Sequence, residues 1–170
     1  LHRFYNSKRT AQAANMMAWD VTCDGITDPG SATDGDVDVA FALIVADKQW
    51  SGTYLDDAKA ILKTIREHVI VQCTVAGEQI FVLGPGYSNI AWGGCDMMDI
   101  MYHTPAFFRV FAEVTGDNTW AQLADDTYIA LEAGAHPSTG LVPDWQTATG
   151  TPGPGGRAGH FGYDACRAPW

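Results

Sequence analysis

Two clusters in this sequence hold the residue types that acid–base chemistry needs. The first is Ser31-Ala32-Thr33-Asp34-Gly35-Asp36-Val37-Asp38, with three carboxylates in five residues. Helix capping explains part of it, since Thr33 or Asp34 can accept from free N–H groups at a helix start, and Asp36 and Asp38 complement the positive end of the dipole. Three carboxylates exceed what capping requires, so at least one is expected to face a polar cleft. The second cluster is Phe161-Gly162-Tyr163-Asp164-Ala165-Cys166-Arg167. Asp164 can cap a helix and pair with Arg167 at i,i+3, or it can act as a general base held and oriented by Arg167 and the Tyr163 hydroxyl. Spacing leaves both roles open. Trp92, Tyr102, Trp145 and Tyr163 are aromatics in loops near acidic helix mouths, which suits them to stack on sugar rings or to seal a core.

Other chemistries find less support. Asp34-x-Asp36-x-Asp38 begins like a calcium loop, but the sixth and twelfth positions are Val39 and Val45 where Gly and Glu are needed. Cys23, Cys73, Cys95 and Cys166 include no CxxC pair, so no zinc site and no cofactor is expected; they read as buried free thiols or as disulfides. The five histidines stand singly, and the glycine-rich run Gly153 to Gly159 lacks the Lys-Ser/Thr of a phosphate loop. Ten basic against 20 acidic residues give a net charge of −10, the wrong sign for nucleic acid or anionic lipid. The longest apolar run, Val39 to Ala46, is far short of the roughly 18 residues of a membrane span. The first residue is Leu1, and no apolar signal core follows it, so the sequence reads as processed or cut from something longer.

The positioning elements are helices. At 170 residues and 46% hydrophobic, the chain suits one domain. Val37, Ala40, Phe41 and Ile44 with Val39, Leu43, Ala46 and Trp50 predict a helix from about Gly35 to Gln49 that is apolar nearly all round. Thr53 as cap then opens an amphipathic helix with Leu55, Ala58, Ile61, Leu62, Ile65 and Val69 inside. The pattern repeats: Thr104-Pro105 starts a helix with almost no polar face, Thr115-Gly116-Asp117 stops it, and a second amphipathic helix follows. That one should turn Trp120, Leu123, Ala124, Tyr128 and Leu131 inward and Asp125, Asp126 and Glu132 outward, and end at Gly134. A buried helix followed by an amphipathic one, twice over, suits two layers of helices, inner and outer. Gln79 to Leu83 reads as a short strand, and Gly134 to Gly162 as a long loop.

Met17-Ala18-Trp19, Asp28-Pro29-Gly30-Ser31-Ala32-Thr33-Asp34-Gly35-Asp36 and Ala46-Asp47-Lys48-Gln49-Trp50 resemble the signature region of glycoside hydrolase family 8. Thr104 to Phe111, Gly140-Leu141-Val142-Pro143-Asp144-Trp145 and Tyr163-Asp164-Ala165-Cys166-Arg167-Ala168-Pro169-Trp170 are similar to later blocks, in the same order. The resemblance implies an all-α fold, part of an (α/α)6 barrel of alternating inner and outer helices with a short β segment and long loops. It implies a secreted, inverting endo-β-1,4-glucanase acting on a cellulose-like polysaccharide, with xylan as the alternative substrate. Asp164 carries over as the base, with Tyr163 and Arg167 orienting it, and Asp34 as the contact to the distorted sugar. Trp145, Tyr102 and Trp92 are expected to bind substrate. The family's general acid is a Glu in a block upstream of those matched here, so residues 1–170 read as a single partial catalytic domain. A non-catalytic glucan-binding or structural half-barrel is the alternative, and helices as apolar as those of Phe41, Ile44, Phe107 and Phe111 make self-association, or association with a missing half, expected.

Overall fold

A computed structural model describes residues 1–168; Pro169 and Trp170, the end of the last matched block, lie outside the described residues. The elements in chain order are α1 (His2–Ser7), β1 (Asp20–Thr22), β2 (Gly25–Asp28), α2 (Thr33–Trp50), α3 (Tyr54–His68), β3 (Ile70–Val75), β4 (Glu78–Leu83), β5 (Gly86–Tyr87), β6 (Ala91–Trp92), β7 (Met98–Asp99), α4 (Pro105–Thr115), α5 (Asn118–Gly134) and β8 (Trp145–Gln146). The strands form four antiparallel two-stranded ribbons, β1-β2, β3-β4, β5-β6 and β7-β8. The chain divides into two compact units, one of Leu1–Val69 with Gly86–Trp92, the other of Ile70–Pro85 with Gly93–Trp170.

In the first unit α2 packs against α3. Val37, Ala40, Leu43 and Ile44 are the buried stripe of α2, and Ala58, Ile61, Leu62 and Ile65 that of α3. Each large aliphatic side chain taken out of water contributes roughly 1.5 to 3 kcal/mol. α2 is less enclosed than its composition suggests: Val45 is 50% and Trp50 70% exposed, because its apolar surface is wider than the area that is covered. It also starts earlier than expected, with Ala32 at the N-cap and Thr33 and Asp34 in its first turn. At α3, Thr53 occupies the N-cap without a side-chain capping bond. Asp47, from the last turns of α2, accepts from the Leu55 N–H at 3.3 Å instead.

The β5-β6 hairpin docks on the segment leading into α2. Ser31 N–H donates to the Tyr87 carbonyl at 2.9 Å, and Tyr87 N–H donates to Ser31 Oγ at 3.1 Å. Gly86 is required at this contact, since a Cβ there would lie 2.2 Å from the Ser31 carbonyl oxygen.

The second unit is built on the β3-β4 ribbon, paired from Ile70↔Leu83 to Val75↔Glu78. Ala76 and Gly77 both have positive φ, which matches the twist of a two-residue hairpin turn. α4 ends at Gly116 in the left-handed conformation, and Asp117 then caps α5 by accepting from the Thr119 N–H at 2.9 Å. Phe108, Phe111 and Trp120 fill the space between α4 and α5, with ring centroids 5.2 to 6.3 Å apart. α4 is the less buried of the two helices, contrary to expectation. It buries only Phe108 and Phe111, whereas α5, which also packs on β4, buries six residues. The inward face of α5 is rotated as well: Tyr128 is 59% exposed and Asp126 is buried. The cause is a bond rather than a periodicity, because Asp126 Oδ2 accepts from the Phe81 N–H of β4 at 2.6 Å.

Cys73 and Cys95 form a disulfide with Cα atoms 5.5 Å apart, and Cys23 and Cys166 are exposed free thiols, so none of the four is a buried free thiol. No described helix is long and apolar enough to cross a membrane.

Candidate active site

In the second unit, the segment after the long loop brings Tyr163, Asp164 and Arg167 together. Ala165–Arg167 is a single 3-10 turn, with Asp164 at its N-cap position. Asp164 does not cap it. Its Oδ1 accepts from the Arg167 guanidinium in an i,i+3 ion pair, and that guanidinium lies over the Tyr163 ring at 4.8 Å from the centroid. Burial works against the Arg167 charge, but the hydrogen bond and charge of Asp164, with Tyr163 and Asp99, outweigh it and raise the proton affinity of the guanidinium.

The capping work falls to Asp144, which is 5% exposed. Its Oδ1 accepts from the N–H groups of Gly162 at 2.9 Å and Ala165 at 2.8 Å. A Cβ on Gly162 would lie 2.5 Å from Asp144 Oδ2, so this approach needs glycine. Nothing in the residues beside Asp144 marks this role, since both N–H groups lie across the glycine-rich loop, 18 and 21 residues further along.

The expected aromatics of this unit lie alongside. Asp99 and Trp145 are partners in the β7-β8 ribbon, and Tyr102 meets Trp145 edge-on with centroids 6.4 Å apart. The 3-10 turn Ile100–Tyr102 packs on the turn Ala165–Arg167, which places the aromatic pair beside the ion pair. Arg157, from the glycine-rich loop, stands over the Trp145 ring at 4.8 Å, so one side of that ring is occupied by a cation. Tyr163 is 79% exposed, whereas Tyr102 and Trp145 are half-buried. His103, at the end of the Tyr102 turn, is structural: its Nε2 accepts from the Leu83 N–H at 2.9 Å, and burial holds its pKa down at about 4. Nδ1, 3.3 Å from the Asp99 carbonyl, is then the protonated nitrogen.

In the first unit, the three carboxylates at the mouth of α2 have different surroundings. Asp36 is buried, and its Oδ1 accepts from the Tyr5 hydroxyl at 2.5 Å. Burial pushes its pKa up to about 7, although the Tyr5 hydrogen bond and Met17 backbone favour the charged form. Asp38 is exposed, and Asp34, in the first turn, is half-buried. Of the three, Asp36 serves the core, while Asp34 and Asp38 keep access to solvent. Trp92 pairs with Gly86 in the β5-β6 hairpin on Ser31, three residues before Asp34, and is 38% exposed. Among the described residues no group of three or more His, Cys, Asp or Glu is arranged to hold a metal.

The model of the glycosyl hydrolases family 8 matches residues 3–170. Endoglucanase A of Acetivibrio thermocellus is 40% identical over 147 residues, a match taking in 83% of this chain and 29% of that protein. Among solved structures, an endo-β-1,4-glucanase from an Achatina fulica gut metagenomic library is similar with TM-score 0.81 and 26% identity, covering 99% of this chain and 55% of that one. A catalytic-mutant xylanase from Teredinibacter turnerae, in complex with xylohexaose, is similar with TM-score 0.72 and 26% identity, over 89% of this chain and 44% of that one. The chain thus spans between 29% and 55% of the length of these relatives. The expected fold class stands: the chain is part of a helical (α/α)6 barrel, supplemented by more short β ribbons than the one strand the sequence suggested.

Proposed function

Since the chain belongs to glycosyl hydrolases family 8, we propose that it is part of an inverting endo-β-1,4-glucanase, a single partial catalytic domain that contributes the base side of the cleft. The observation that carries this reading is the arrangement of Tyr163, Asp164 and Arg167: a carboxylate relieved of capping, tied through one oxygen to an arginine that is itself stacked on an exposed tyrosine. In an inverting reaction the base takes a proton from a water that attacks the anomeric carbon, while an acid protonates the leaving oxygen from the opposite side of the bond. Here Asp164 receives that proton, and Arg167 fixes the direction of the carboxylate toward the water. Asp34 contacts the sugar that distorts at the cleavage point, where a bond that strengthens in the transition state raises rate more than affinity. Tyr163, Trp145, Tyr102 and Trp92 supply stacking surface for sugar rings.

No Glu of this sequence lies in a block similar to the one that the resemblance implies for the acid, so no acid is assigned within residues 1–170. β-1,4-Glucan is the substrate favoured by the endoglucanase relative, and xylan is the second reading because of the likeness to the Teredinibacter xylanase. The Cys73–Cys95 disulfide supports a secreted protein, since such bonds persist in oxidising compartments.

Asp164→Asn tests the reading. Its turnover of cello-oligosaccharide should fall by about 10² to 10⁴-fold, measured as reducing sugar on the assembly that hydrolyses it, with an unchanged far-UV spectrum. Wild-type turnover in that variant removes Asp164 from the mechanism. Retained binding of cello-oligosaccharide by a chain without hydrolysis would favour the glucan-binding reading.

A further inference from the structure

We propose that Asp144 is a positioning residue for the general base, acting through the backbone on both sides of Tyr163 and Asp164. The proposal rests on Asp164 being the base. One buried carboxylate oxygen accepts from Gly162 and from Ala165, the residues that flank the Tyr163-Asp164 pair. The same residue holds the segment a third time, because its N–H donates to the His160 carbonyl at 2.9 Å. A three-residue 3-10 turn has no length with which to hold itself, so the direction of the Asp164 side chain depends on what grips its ends. Two N–H groups bound to one buried oxygen, one on each side of the Tyr163-Asp164 pair, fix the segment between them. Asp144 in turn precedes Trp145, whose β7-β8 pairing carries the aromatic pair, so one residue registers the base against the stacking surface. Gly162 is part of the device, since any side chain there would push the carboxylate away.

Three variants of the full 170-residue chain separate this proposal from the reading beneath it: Asp144→Ala, Asp144→Asn and Asp164→Asn. Two quantities are measured, the hydrogen exchange of the Gly162 and Ala165 amides by NMR, and kcat and KM on β-cellobiosyl fluoride, whose good leaving group needs little acid help. Asp144→Ala should speed exchange at both amides by about 10-fold or more while the β3-β4 ribbon keeps its protection. Its kcat should drop about 10²-fold, the cost of a displaced reacting group, with KM within about 3-fold. Asp144→Asn keeps a carbonyl oxygen in the same place and should recover most of both properties, which loss of general stability would not explain. Unchanged exchange in Asp144→Ala overturns the proposal, as does full turnover in Asp144→Ala beside a disabled Asp164→Asn. Full turnover in Asp164→Asn overturns the base assignment and the proposal with it. If the wild-type chain does not react with the fluoride, the exchange result decides: faster in Asp144→Ala and restored in Asp144→Asn supports the proposal, and any other pattern overturns it.

Discussion

The two units each bury an ionisable side chain, and the two respond to pH in opposite directions. Asp36 in the first unit is pushed by burial up to about 7, whereas His103 in the second is pushed by burial down to about 4. The rule is the same in both cases: a low-dielectric interior favours the neutral form, which for Asp means keeping a proton and for His means losing one. Native Asp36 holds its proton up to about pH 7, and the unfolded chain releases it near 4. Its contribution to stability is therefore complete below about pH 4 and is lost as pH rises through 7. Unfolded His103 takes a proton near 6.5, while the native side chain does not until about 4. That contribution is complete above 6.5 and is lost as pH falls through 4. Through Asp36 alone acid favours the first unit, and through His103 alone neutral pH favours the second; Asp28, lowered by its hydrogen bond from the Gly30 N–H, works against Asp36. Asp126, also raised by burial, works against His103 within the second unit, so variants are needed to separate them.

The largest expected effect comes from breaking the core of one unit alone. Phe111→Ala opens a cavity among Phe108 and Trp120 and should lower stability by about 3 to 5 kcal/mol in denaturant titration. Amides of α4 and α5 should lose more exchange protection than those of α2 and α3. Equal loss in both units would mean that they unfold as one.

Asp36→Asn sharpens the contrast from the other side. The amide imitates the protonated carboxyl and cannot ionise, so the variant should lose the decline in stability between about pH 4 and 7, a difference on the order of 1 to 4 kcal/mol. Thermal melts across that range, with wild type in parallel, measure it. A variant that declines in step with wild type would show that Asp36 ionises normally. A smaller effect is expected from His103→Gln, which weakens the bond to the Leu83 N–H and should cost about 1 to 3 kcal/mol at pH 7. The gap to wild type should narrow as pH falls toward 4, and a constant gap would contradict a neutral, buried His103.

What was legible in the sequence was local. The four long helices followed from periodicity, and the stop of α4 followed from Gly116, because these features lie within a few residues of one another. The Asp164–Arg167 pair was legible for the same reason. The inward turn of Asp126 was not, since its partner Phe81 lies 45 residues away, and without that partner an Asp on an amphipathic helix faces water. Strand β4 is legible and β3 is not, although Ile70 to Val75 is rich in β-branched residues, because β3 follows α3 with only Val69 between and prolongs its apolar run. Four scattered cysteines could not reveal which two pair. Asp144 carried no local sign of its task, which depends on two N–H groups 18 and 21 residues further along. The candidate base was thus visible and the residue that holds it was not.

The most direct measurement is the anomer released first. β-Cellobiosyl fluoride incubated with the 170-residue chain and followed by proton NMR should give α-cellobiose before mutarotation mixes the anomers, because water delivered by Asp164 attacks the face opposite the departing fluoride. Asp164→Asn should slow that signal by about 10²-fold or more. β-Cellobiose as the first product, or an undiminished rate in Asp164→Asn, would contradict an inverting mechanism with Asp164 as its base.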